Sequence, residues 1–246
     1  MKLTIDHLSI TFDGAEILRD LSFSVKEGEF VSILGPSGCG KSTLLNILAG
    51  IIPPESGNIT VDGKQLSGAS EHFAYMPQED LLLPWKTILD NVCLYGAIHG
   101  TKKEAAKQAR ALFPVFGLAG YENAYPEALS GGMRQRAAFL RTAMCQADIL
   151  LLDEPFGALD VITRGDMQDW LATMRSQLGK TTLLVTHDVD EAIYLSDRIL
   201  VLNGRPATIR EEIRITETAR SRDWLYAQSE LRTAIHHLLS EEVRPC

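Results

Sequence analysis

The residues 35–43, Gly35-Pro36-Ser37-Gly38-Cys39-Gly40-Lys41-Ser42-Thr43, are the types that grip a polyphosphate. Glycines let the backbone curl until successive N–H groups point at one anion. A helix opening at this point adds unpaired donors and the positive end of its dipole. Lys41 then reaches the β- and γ-phosphates, and the Ser42 hydroxyl offers a ligand to Mg²⁺. Further on, Asp153 and Glu154 close the apolar run Ile149-Leu150-Leu151-Leu152. Beside a bound nucleotide, one carboxylate serves a metal through water and the other polarises an attacking water. Each pattern has a plain alternative: a glycine-rich turn that binds nothing, and a solvated acidic pair at a strand end.

The flanking elements decide between them. Phe30-Val31-Ser32-Ile33-Leu34 reads as a buried strand, and Leu44-Leu45-Asn46-Ile47-Leu48-Ala49 as a helix stopped by Gly50. Strand, glycine loop and helix form the context that G-x-x-x-x-G-K-[ST] requires. Residues 3–10 and 17–25 alternate apolar and polar, and 58–63 add a short strand with a turn, which predicts an antiparallel patch. Strands are expected at 73–76, 148–153, 182–186 and 199–202. Helices are expected at 161–178, with Met167, Trp170, Leu171, Met174 and Leu178 on one side, and at 189–195. This alternation implies an α/β fold with a largely parallel sheet. Along a regular strand Glu154 points away from Asp153, so the chain must bend there for both to face a phosphate.

From about 87 to 144 the pattern is helical, with a core stripe of Ala105, Ala106, Ala109, Leu112, Phe113 and Phe116. The expected division is therefore a core over 1–84 and 147–205 and an inserted helical subdomain over 85–146. A helical tail over 206–246 is expected to dock through Trp224, Leu231, Ile235, Leu238 and Leu239. Pro84 disfavours helix at Leu83, leaving Leu81-Leu82-Leu83-Pro84-Trp85 on an irregular segment. Either these residues pack under the helical subdomain, or some, Leu82 among them, line a groove for a partner helix.

A formal net charge of −8 argues against non-specific nucleic-acid binding, which needs a basic face, so no nucleic-acid partner is expected. No apolar stretch reaches the roughly 18 residues of a membrane span, and the first residues lack a signal-peptide block. A cytoplasmic chain that meets a membrane through a partner is the expectation. Cys39, Cys93, Cys145 and Cys246 are scattered without a C-x-x-C pair, as in a reduced cytosolic protein. Cys39 sits beside a helix N-terminus, where a thiol pKa is lowered and reactivity follows. The alternative is a small residue that merely fits the loop.

Leu129-Ser130-Gly131-Gly132-Met133-Arg134-Gln135 opens another helix and makes a second set of inward donors. Set before the carboxylate strand, it completes a family pattern. Phosphate loop, Gln78, residues 129–135, Asp153-Glu154, Ala158-Leu159-Asp160 and His187 stand in the order of an ABC-type ATPase, which the chain resembles over essentially its whole length. The resemblance implies a P-loop NTPase core, ATP and Mg²⁺, and catalysis by Glu154, His187, Gln78 and Lys41. It implies that Ser42, Gln78 and Asp153 serve the metal and that Gln78 senses the γ-phosphate. Ser130, Gly131 and Gly132 would contact the nucleotide held by a second copy in a head-to-tail dimer, Asp160 would couple the two sites, and His187 would grip the γ-phosphate. Phe12 stands where the family stacks a tyrosine on adenine, keeping the ring face without the hydroxyl.

Residues 35–40 and 155–160 resemble importer ATPases. That implies two transmembrane permease subunits, through them a periplasmic or extracellular solute-binding protein, and a place on the cytoplasmic face of the membrane. Gln78-Glu79-Asp80-Leu81-Leu82-Leu83-Pro84-Trp85 is similar to the branch importing nitrate, sulfonate, taurine and thiamine precursors. The alternative is a non-transport ABC ATPase acting on DNA or ribosomes. Such chains usually carry two nucleotide domains or a long coiled-coil insert, and this helical block is short.

Overall fold

In the computed structural model, which describes residues 1–66, 68–157 and 159–240, the chain opens with β1 (Leu3–Phe12) and β2 (Ala15–Val25). Both alternate buried and exposed positions, as a sheet with one solvated face requires. β3 (Phe30–Leu34), buried at every position, leads through the glycine loop into α1 (Lys41–Leu48). β4 (Ser56–Val61) and β5 (Lys64–Gln65) complete an antiparallel sheet of order β2-β1-β4-β5, with Leu3 opposite Val25 on one side and Val61 on the other.

β6 (Phe73–Met76), β7 (Ile149–Asp153), β8 (Thr181–Thr186), β9 (Arg198–Asn203) and β10 (Thr208–Arg214) join β3 in a second sheet of order β10-β9-β3-β8-β7-β6. All its pairings are parallel except β9 with β10. The two-residue period of a strand divides its side chains between two cores. Along β7, Ile149 and Leu151 pack with Leu44, Leu45 and the antiparallel sheet, whereas Leu150 and Leu152 pack toward the helices. Burial of both faces explains why β3, β7, β8 and β9 read as continuous apolar runs.

Between β6 and β7 lies the helical insertion: α2 (Ile88–Val92), α3 (Leu94–Ile98), α4 (Lys102–Leu112) and α5 (Gly131–Ala143). Ala105 and Ala109 face its core, with Phe113 and Phe116 just beyond α4. The expected helix at 161–178 is α6 (Val161–Leu178), and that at 189–195 is α7 (Val189–Leu195). On α6, Met167, Leu171 and Met174 are buried and Trp170 packs edge-on against Phe116 and Phe139. The expectation for the Leu178 side chain lies outside the described residues, as do Ala158, Val243 and Cys246.

The tail departs from the helical expectation at its start. Residues 208–214 are the edge strand β10, paired with β9, and only then follow α8 (Arg222–Tyr226) and α9 (Ser229–Ser240). Charged residues on an exposed edge strand (Arg210, Glu211, Glu212, Arg214) hide its period. The single amphipathic helix is in fact two, with Leu225 and Ile235 as the buried anchors.

Candidate functional site

The glycine loop sits where β3 hands over to α1, at the carboxyl end of the parallel strands. Gly40 is the N-cap of α1 at φ 106°, and a Cβ there would meet the Leu18 and Ile17 side chains at 2.7 and 2.8 Å. Only glycine satisfies both the backbone angle and the space. Lys41 is nearly buried, and its ammonium donates to the Gly35 and Pro36 carbonyls at 2.9 and 3.0 Å. Phe12, Ile17, Ser37, Gly38, Gly40, Lys41, Ser42, Thr43, Gln78 and Glu154 line one recess of 420 Å³. Phe12, 41% exposed, offers its ring there without a hydroxyl.

The carboxylate pair reaches this recess by a bend. Glu154 has φ 44°, left-handed for a residue with a Cβ, and its N–H donates to the Val185 carbonyl at 2.9 Å. Such strain in a non-glycine residue is held by its surroundings and turns the side chain off the strand's alternation. The Ser42 hydroxyl donates to Asp153 Oδ1 at 3.0 Å, and Tyr75 donates to Oδ2 at 3.1 Å. Burial pushes the Asp153 carboxyl above its ordinary range against the pull of both hydroxyls. Glu154 Oε1 stands 3.1 Å from His187 Nδ1 and 3.9 Å from Lys41 Nζ. Lys41, Gln78 and Glu154 thus line one recess, and His187 joins them through its contact with Glu154. Serine hydroxyl and carboxylate oxygens beside a phosphate loop are the hard donors that Mg²⁺ takes, so the residues fit that ion.

Ser130 and Gly131 lie elsewhere. A second recess of 540 Å³ is lined by Gln78, Glu79, Asp80, Leu81, Gly131, Arg134, Gln135, Gly157 and Leu159. Gln78 is the one residue common to both linings. Ser130 is exposed and caps α5, its hydroxyl accepting from Met133 N–H at 3.3 Å, while Gly132 is buried against Thr163. Asp160 caps α6 in the same way, accepting from Ile162 and Thr163. The Thr163 hydroxyl holds its carboxyl below the usual range.

Several groups hold this frame in roles that sequence reasoning did not assign, Gln135 and Arg134 of the 129–135 motif among them. Gln135 donates to the Pro155 carbonyl at 2.5 Å, tying α5 to the bend after Glu154. Arg134 pairs with Asp80 at 3.1 Å, and Arg141 donates to the Asp80 and Leu81 carbonyls, both at 2.7 Å. The segment after Gln78 is therefore fastened to α5.

Two expectations need correction. The Cys39 thiol is 3% exposed, and burial raises its pKa despite the Lys41 charge. Desolvation outweighs the helix end, so the small-residue reading holds. Maleimide is expected to leave Cys39 unmodified in the native chain at neutral pH, with or without MgATP, and to label it after denaturation. Rapid native labelling, read by mass spectrometry, would contradict this. Leu82 is also buried, at 7% exposure, within the helical core, whereas Leu81 and Trp85 are 55% and 71% exposed. Leu82 is thus a packing residue, and Leu81 and Trp85 are the apolar groups that face outward.

A phosphate loop with a carboxylate pair bent onto it, and a serine-capped glycine helix start in a second recess, define an ATP-binding cassette ATPase. The chain belongs to the ABC transporter family, whose model matches residues 18–157. It is 42% identical to the formylaminopyrimidine import ATP-binding protein ThiZ of Halalkalibacterium halodurans, covering 98% of this chain and 97% of that one. Against the taurine import ATP-binding protein TauB of Pseudomonas aeruginosa it is 45% identical, over 85% of this chain and 81% of that one. Among solved structures, the dimeric ATP-binding cassette MJ0796 bound to ADP and Pi matches with a TM-score of 0.74 at 28% identity, covering 87% of this chain and 99% of that one. CbiO1 from Clostridium perfringens, part of the transporter complex cbiONQ, matches at 0.79 and 25% identity, over 98% and 99%. Among the described residues, no helix is long and apolar enough to cross a membrane.

Proposed function

We propose that the chain is the ATP-hydrolysing subunit of an importer, pairing head-to-tail with a second copy and driving two permease subunits from the cytoplasmic face of the membrane. The observation that carries this reading is that Lys41, Gln78 and Glu154, with His187 on Glu154, gather at the phosphate loop while Ser130 and Gly131 stand exposed at or beside another recess. One chain supplies half of each site, and the partner's serine and glycines supply the rest.

ATP lies with its triphosphate on the loop amides 37–43 and its base against Phe12. Ser42, Gln78 and Asp153 would hold Mg²⁺, which would neutralise phosphate charge. Glu154 accepts the proton of the attacking water, and His187 holds the γ-phosphate side of the site. Asp160 lies where the two copies meet and couples their sites. The names of the relatives support a small solute: an organic or inorganic anion such as a sulfonate, taurine or nitrate, or a thiamine precursor. A solute-binding protein outside the membrane delivers it. Uptake of these solutes by cells with and without the chain, with Glu154→Gln as control, tests the reading.

Gln78 and the anchored segment behind it transmit the nucleotide state. Because Arg134 and Arg141 fasten residues 80–81 to α5, movement at Gln78 carries the helical block with it. Exposed Leu81 and Trp85 are the apolar anchors for a permease helix. Replacing both with Asp is expected to leave nucleotide affinity within twofold and to abolish copurification with membrane subunits. Normal uptake in that variant would remove the two residues from the contact.

A further inference from the structure

One buried carboxylate has no place in the chemistry so far. Glu191 lies in the first turn of α7, 4% exposed. Both oxygens are engaged: Oε2 accepts the Thr186 hydroxyl at 2.6 Å, and Oε1 accepts the Gln168 amide at 3.2 Å. Arg222 donates to Gln168 Oε1 at 2.9 Å, which fixes that amide with its N–H₂ toward Glu191. Burial nonetheless pushes the Glu191 carboxyl up to about 7, against the pull of Thr186 and Gln168. A buried acid costs stability that an apolar side chain would not, so its presence needs a use.

The use lies one residue beyond Thr186. Thr186 ends β8, and His187 follows it directly. Besides donating to Glu191, the Thr186 oxygen accepts from Asp188 N–H at 3.0 Å. Asp188 Oδ1 in turn accepts from Glu191 N–H at 3.0 Å. The residues on either side of His187 are thereby tied to Glu191 in a closed ring of three bonds. The His187 side chain is itself half exposed, so its aim depends on the backbone that carries it.

We propose that Glu191 is a positioning residue for His187: its carboxylate, acting through the Thr186 hydroxyl, sets the turn that aims the imidazole at Glu154 and the phosphate beyond. The proposal rests on the reading of His187 given above. It assigns Glu191 no contact with nucleotide.

The test uses the full chain and steady-state MgATP hydrolysis. Thr186→Val keeps the shape and deletes the hydroxyl; Glu191→Gln keeps the size and deletes the charge. Each is expected to lower kcat about a hundredfold, the scale of a misaimed catalytic group, with KM for ATP within twofold. Thr186→Ser is expected to restore kcat to within twofold of the parent. In a cycle with His187→Ala, adding Glu191→Gln should cause no further loss, because the two act as one unit. A merely structural Glu191 would multiply its loss with that of His187→Ala. Such multiplication, or parental kcat in Glu191→Gln beside an inactive His187→Ala, would overturn the proposal and leave the reading of His187 standing. Parental activity of His187→Ala would instead remove that reading, and Glu191 with it. Should Thr186→Val lose its cooperative melting transition, Glu191→Gln and its cycle with His187→Ala decide the matter alone.

Discussion

Glu154→Gln is expected to cut ATP turnover by about 10²- to 10⁴-fold, the span of general-base catalysis, while ATP affinity stays within a few-fold of the parent. The amide matches the carboxylate in shape, so it fits the same bend, but it takes no proton from water. Glu154 Oε1 lies 3.1 Å from His187 Nδ1 and 3.9 Å from Lys41 Nζ, at the edge of the phosphate loop. Binding survives because the loop amides and Lys41, not Glu154, grip the triphosphate. With hydrolysis blocked, the nucleotide remains between the two copies, and light scattering with MgATP should show a stable dimer absent from the parent. Turnover close to parental would remove Glu154 from the role of base, and Gln78 would be the next residue to test.

The bend that makes Glu154 useful is a tertiary property. The sequence places two acids after an apolar run, and strand alternation alone separates their side chains. Glu154 N–H still makes a ladder bond to Val185 on the neighbouring strand. Its left-handed φ comes with the turn that follows, closed by Gly157 N–H on the Glu154 carbonyl at 3.0 Å. Gln135 of α5, far away in the chain, holds that turn through the Pro155 carbonyl. The strands and helices themselves were legible because burial on both faces leaves unbroken apolar runs between glycines and caps. Edge strand β10 was not, since solvent allows charges on it. Three consecutive leucines look alike in sequence. Their fates diverge because Asn91 accepts from Leu83 N–H at 2.7 Å and pins the segment, sending Leu82 inward and Leu81 out. Glu191 reads as an ordinary first-turn acid, and only the packing of α6 against α7 reveals it as buried.

Mixing two inactive variants is expected to recover activity that neither has alone. Ser130 lies at the exposed start of α5, and the second recess beside it is lined by no phosphate-loop residue among those described. An arginine at Ser130 therefore leaves the chain's own nucleotide recess unchanged, so Ser130→Arg monomers should bind ATP like the parent. In a head-to-tail dimer the same arginine meets the partner's triphosphate and fills the space the serine leaves open, so hydrolysis should fall below one-hundredth of parental, about the loss that misplacing a reacting group brings. Lys41→Ala fails for the opposite reason: it removes the ammonium at the chain's own loop and with it most nucleotide binding. Homodimers of either variant carry two defective sites. A heterodimer carries one intact site, with Lys41 from the Ser130→Arg chain and Ser130 from the Lys41→Ala chain. Random pairing of equal amounts makes half the dimers mixed, so independent sites would give about a quarter of parental turnover. Coupling between the sites lowers that figure without abolishing it. Varying the ratio of the two variants at a fixed total concentration should give turnover that peaks near equal amounts. A flat titration, or Ser130→Arg monomers that fail to bind ATP, would place Ser130 in its own chain's site and remove the shared-site arrangement.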